Sequence, residues 1–169
     1  MPEKGSYLVN LETAQAAVAM SLPLITEAMK RKEVGESGFL YIVVMDPASG
    51  PARASFEESI LYEHAVGDRE KWDADYGAFA RAKAKVAWQT GRDSHAVQEL
   101  QPYLLQQGDT VLWGSVVVDG IVVGVSGANP WYDEAFAGTV AMCLRAQAKA
   151  LAVEERARGL FYGVPRQGA

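Results

Sequence analysis

Two β-rich runs, Val111-Leu112-Trp113-Gly114-Ser115-Val116-Val117-Val118 and Ile121-Val122-Val123-Gly124-Val125-Ser126, flank the dipeptide Asp119-Gly120. A two-residue Asp-Gly link favours a type I′ turn, whose twist matches that of paired strands, so the stretch reads as a β-hairpin. Upstream, Phe39-Leu40-Tyr41-Ile42-Val43-Val44-Met45 is a continuous apolar run. It reads as a central strand covered on both faces. Asp46 to Pro51 is a turn by composition. Ala52–Phe56 is expected to return as an antiparallel partner.

Helical periods surround these strands. Leu11, Ala14, Val18, Leu22, Ile25 and Met29 step by three or four behind an Asn10 N-cap. Pro23 predicts a kink near Leu22. Lys30, Arg31 and Lys32 are expected in the last turn, with Gly35 as the stop. An alanine-rich helix is predicted from Ala78, with Phe79, Ala82, Val86 and Ala87 inward and Gly91 closing it. A weaker helix is expected over Ser94–Leu105. The final helix follows an Asn129-Pro130 start and ends at Gly159, about 45 Å long at 1.5 Å per residue. Residues 57–77 have no clean period and read as an inserted loop. The order of elements points to one α/β domain: a central antiparallel sheet flanked by helices.

Composition narrows the function. The 169 residues are 49% hydrophobic and 22% charged, the mix of a folded domain. Sixteen basic residues against 21 acidic ones give a net charge of −5, which disfavours nucleic acid as a partner. The broken apolar pattern near the N-terminus lacks a signal-peptide h-region, and no run is long enough for a membrane span. A cytoplasmic location without a membrane partner is the expectation. A single cysteine, Cys143, offers neither an intrachain disulfide nor a cysteine-based metal site. With two histidines, a mixed metal site would rest on His64, His95 and carboxylates distant in the chain, so none is expected.

No phosphate-binding glycine loop, zinc-protease helix or nucleophile elbow occurs. The candidate residues are therefore single positions. His64 is a possible haem ligand or general base, or a plain loop residue. His95, after Arg92-Asp93-Ser94, reads as a polar neighbour of a helix start. Lys83 either neutralises a ligand carboxylate or snorkels to solvent from an apolar face. Asp133 and Glu134 suit acid–base work, yet the helix dipole alone accounts for acids in a first turn. Trp113 suits a core or a pocket wall. Met20, Met29, Met45 and Met142 read as core filler.

Val116 to Ala128, followed by Asp133-Glu134-Ala135, resembles the signature of the GlcG-like family, also described as the haem-degrading domain family. Phe79 to Ala87, then Gly91-Arg92-Asp93-Ser94, is similar to that family's central helix and its exit. The resemblance covers about residues 8–150. It leaves 57–77 as an insertion and 151–169 as a helical extension and tail. It implies a profilin-like fold assembled as dimers or rings, with a tetrapyrrole, haem or corrinoid, as first candidate ligand and haem as a possible cofactor. The pocket it implies lies near Lys83, Trp113, Ser126 and Asn129. The rival expectation is a small cofactor-independent lyase, isomerase or hydrolase of organic-acid or aromatic catabolism, with Lys83, His64 or Glu134 moving protons. The glycine pair and proline that precede the hairpin in the family are absent, and the first helix has no histidine.

Overall fold

Asp119 and Gly120 both take positive φ, +49° and +83°, as a type I′ turn requires. They join strands β3 (Ser115–Val118) and β4 (Ile121–Ser126) of the computed structural model, which describes residues 4–166. Trp113 and Gly114 stay outside β3, although Gly114 O still accepts from Val125 N at 2.7 Å. β4 pairs on its other side with β1 (Leu40–Met45), and β1 pairs with β2 (Ile60–Val66). The sheet order is β2-β1-β4-β3, and every pairing is antiparallel.

Because β1 is central, its side chains alternate between two cores and all six are buried. Leu40, Ile42 and Val44 join Val123 and Val125 beneath helices α1 (Leu11–Ala28) and α4 (Pro130–Arg158). Tyr41, Val43 and Met45 join Val122 beneath helix α2 (Tyr76–Thr90). This double cover is why the strand reads as an unbroken apolar run.

The partner of β1 differs from the expected one. Residues 52–56 form turns closed by local bonds, among them Arg53 N to Gly50 O at 2.9 Å. The paired strand is Ile60–Val66, inside the stretch read as a loop. A bulge opposite Val44 and Met45 shifts its register, and polar Glu63 and His64 on an edge strand hide its period.

The helices also depart in detail. α1 is capped reciprocally by Asn10 and Thr13 and runs continuously through Pro23, which lies on its exposed side. It stops at Ala28, so Lys30, Arg31 and Lys32 fall in the turn beyond it. α2 begins two residues early, buries Tyr76, Ala80, Lys83, Ala84, Val86 and Ala87, and leaves Phe79 exposed. The weak helix is α3 (Ser94–Leu100), followed by a separate 3₁₀ turn at Pro102–Leu104. Met45 is core, whereas Met20 and Met142 are exposed. The expected tail extends to residue 169; positions 167–169 and 1–3 lie outside the described residues. Among the described residues, no helix is long and apolar enough to cross a membrane.

Candidate functional site

The sheet-facing side of α2 is alanine-rich, which brings its backbone close to β4. Lys83 lies in that face with 2% of its surface exposed, too deep to snorkel. Its Nζ donates to Asp133 Oδ2 at 2.7 Å and to Ser126 Oγ at 3.2 Å. Asp133, in the first turn of α4, is fully buried, and its other oxygen accepts from Ala128 N at 2.8 Å. Burial pushes the Asp133 carboxyl up to about 6, against the pull of the Lys83 charge. Burial likewise lowers the Lys83 ammonium, and the Asp133 charge opposes that shift.

A second cluster adjoins the first, because Glu134 follows Asp133 around the helix. Glu134 Oε1 faces His95 Nδ1 at 2.5 Å, and Oε2 accepts from His95 N at 3.2 Å. Burial raises the Glu134 carboxyl; the His95 charge opposes this, and nearby Asp93 adds to it. The Trp113 ring lies 5.6 Å from the imidazole, centroid to centroid. Beneath them, fully buried Ser94 accepts from Gly114 N at 3.0 Å and Ser115 N at 2.9 Å. Its one proton goes to Ser115 O at 3.2 Å, the shorter of its two acceptor contacts, with Glu134 Oε2 at 3.5 Å. Asp93 Oδ1 accepts from Val117 N at 2.7 Å. Ser115 Oγ donates to Lys83 O at 2.6 Å, tying the two clusters together.

α3, the hairpin entry and the start of α4 thus meet at one end of the sheet. The fold is that of the GlcG-like proteins. A Klebsiella pneumoniae protein, ORFY, of family DUF336, the GlcG-like family, superposes with a TM-score of 0.51 at 19% identity, over 82% of this chain and 91% of its own. The Ybr137w protein also gives 0.51, at 13% identity, over 86% of this chain and 80% of its own. No family model and no curated protein matches the sequence.

Within this GlcG-like fold, the residues singled out from sequence separate into groups. Lys83, Ser126 and Asp133 come together, and Glu134 and Trp113 meet at His95 next to them. His64 does not join either cluster. It pairs with Ile42 and so shares the face of α1 and α4, across the sheet from Lys83. Its Nδ1 is taken by the Tyr62 hydroxyl at 3.0 Å, and burial lowers its pKa. Asn129 turns away too: its Nδ2 donates to Glu33 O at 2.8 Å, and it does not cap α4 with its side chain. The residues missed were Asp93, Ser94 and Ser115. The Gly91-Arg92-Asp93-Ser94 exit marked two of them, but nothing in the sequence says that Ser94 reaches the hairpin 20 residues on.

Proposed function

We propose that this chain is a small-molecule-binding protein of the GlcG-like type, with its ligand seated on the ledge made by Trp113, His95 and Glu134. A tetrapyrrole, haem or corrinoid, is the ligand this reading favours. The observation that carries it is the His95 imidazole, with 41% of its side chain exposed, set against an aromatic face and with Nδ1 on a carboxylate. A carboxylate behind the ring is how metal-ligating histidines are commonly oriented. His95 Nε2 makes no hydrogen bond among the described residues. Those residues fit a haem: Nε2 would meet the iron, and the Trp113 ring would lie against the macrocycle. The bound haem would supply the redox and ligand-binding chemistry. Lys83 is too enclosed to touch such a ligand, and its part is to hold Asp133 and thereby the start of α4.

Hemin titration tests this. A saturable, shifted Soret band at about one haem per chain is expected, altered by His95→Ala and unchanged by His64→Ala. Trp113→Ala should weaken the band while circular dichroism stays native. A shift no larger than an unrelated acidic protein gives ends the tetrapyrrole reading.

The rival reading, a cofactor-independent lyase, isomerase or hydrolase acting on organic acids or aromatics, has its own support. Glu134, largely buried, and the more exposed His95 form a carboxyl–imidazole couple, and burial raises the Glu134 pKa, the direction a general acid–base residue needs. Proton transfer would then belong to Glu134 rather than to Lys83 or His64. We further propose a homo-oligomer joined through the C-terminal tail, which leaves Leu160 86% and Phe161 73% exposed. A cytoplasmic location completes the proposed reading.

A further inference from the structure

Three side chains from two elements converge at the edge of the ledge. Asp93 and His95 come from the start of α3, and Glu134 from the first turns of α4. One potential ligand atom from each lies within 4.8 Å of the other two. We propose that Asp93, His95 and Glu134 bind one first-row divalent transition-metal cation, of the zinc or cobalt(II) kind. This goes beyond the tetrapyrrole reading, which uses Nε2 of His95 and the Trp113 face; the cation would use Nδ1 and the carboxylates.

Four observations carry the assignment. The donor set is one imidazole nitrogen and two carboxylates, and such nitrogen–oxygen sets suit zinc and its neighbours, whereas magnesium and calcium take oxygen alone. Charge is unbalanced: two carboxylates face one imidazole, and Lys83, the nearby buried cation, is already paired with Asp133. The carboxylates are held from behind, Asp93 by Val117 N at 2.7 Å and Glu134 by His95 N at 3.2 Å, while Trp113 packs against the imidazole. Such outer contacts fix ligand direction. The cluster is also half-open to solvent, so water can fill the remaining coordination positions.

The step balances simply. The ion takes the place of the hydrogen between His95 Nδ1 and Glu134 Oε1, and the ring binds as neutral imidazole with its one proton on the solvent-facing Nε2. The two atoms must separate from 2.5 Å to about 3–3.5 Å, the spacing of adjacent ligands on an ion with bonds near 2.1 Å. A side-chain torsion of half-exposed His95 supplies that movement.

The chain, stripped by chelator dialysis and free of hemin, is titrated with Co²⁺ by visible absorption and with Zn²⁺ against a chromophoric indicator. One ion per chain is expected, with a d–d band for Co²⁺. His95→Ala and Glu134→Gln should each weaken Zn²⁺ at least about tenfold, while His64→Ala leaves it unchanged. Circular dichroism confirms that each variant is folded. Absence of stoichiometric binding overturns the site, as does an affinity untouched by His95→Ala and Glu134→Gln together or lost with His64→Ala. Asp93→Asn, whose amide oxygen still accepts from Val117 N, separates the two readings: it should weaken Zn²⁺ and spare hemin.

Discussion

Lys83 sits between Ala80 and Ala84 on the buried face of α2, where a four-carbon stem has no route to water. Its ammonium is therefore satisfied internally, at 2.7 Å from Asp133 and 3.2 Å from Ser126. A buried ion pair adds little net stability, because desolvation offsets the attraction, but removing one partner strands the other. Lys83→Met should thus destabilise the chain by about 3–5 kcal/mol, leaving Asp133 with only backbone donors. Lys83→Met with Asp133→Asn should recover most of that loss, since the amide oxygen still accepts from Ala128 N. Urea unfolding midpoints compare them; a double variant no more stable than the single one contradicts the pairing argument. The same residues show why the site was only partly legible. Asp133 and Glu134 are adjacent in sequence, and a helix dipole explains both. Successive helical residues point about 100° apart, however, so one turns in to Lys83 and the other toward His95.

At the scale of elements, the approach of α2 to β4 sets the geometry of the site. A Cβ on Gly124 would stand 2.6 Å from Ala84 Cβ and 2.7 Å from Ala80 O, so the helix rests on bare backbone there. Gly124→Ala should force the layers apart and cost about 1–3 kcal/mol, as overpacking does. Gly138 is its opposite: it lies inside α4 with open space where a Cβ would go. Gly138→Ala should stabilise by about 0.5–1 kcal/mol through helix propensity alone. Thermal and urea unfolding of both read out the signs, and two shifts in one direction defeat the packing account. The hairpin and β1 were readable because their signals are local: an Asp-Gly turn needs only two residues, and a doubly covered strand needs only its own apolar run. β2 was not, since an edge strand with a bulge, carrying Glu63 toward Arg81 and His64 toward Tyr62, owes its place to partners elsewhere. The Ser94 and Asp93 contacts with the hairpin failed for the same reason: each depends on a chain return that no periodicity encodes.

For the whole molecule, the end of α4 carries the apolar surface that a partner would cover. The tail turns back on the helix: Gly163 N donates to Glu155 Oε2 at 2.8 Å and Arg166 N to Arg158 O at 3.1 Å. Tyr7 joins from the N-terminal segment, donating to Glu155 at 3.2 Å with its ring 6.3 Å from Tyr162. The tail thus packs on its own helix end rather than over the sheet. That anchoring satisfies its backbone but not its apolar side chains. Leu160, Phe161, Val164 and Pro165 line an open groove of 450 Å³, and Val153 is exposed on the same helix end. Apolar surface gathered in one place, on a segment fixed by hydrogen bonds, is what a second subunit buries, and a closed symmetric pair or ring satisfies every copy. Light scattering is therefore expected to give a multiple of the chain mass, falling to monomer when the chain is cut after Ala150. Because the cut also removes Ala152 from the core, full-length Leu160→Glu with Phe161→Glu supplies the cleaner comparison. Those side chains touch water in the isolated chain, so their replacement should leave its unfolding midpoint nearly unchanged while dissociating the assembly. An oligomer mass unaltered by the double substitution rules out the tail as the joining surface.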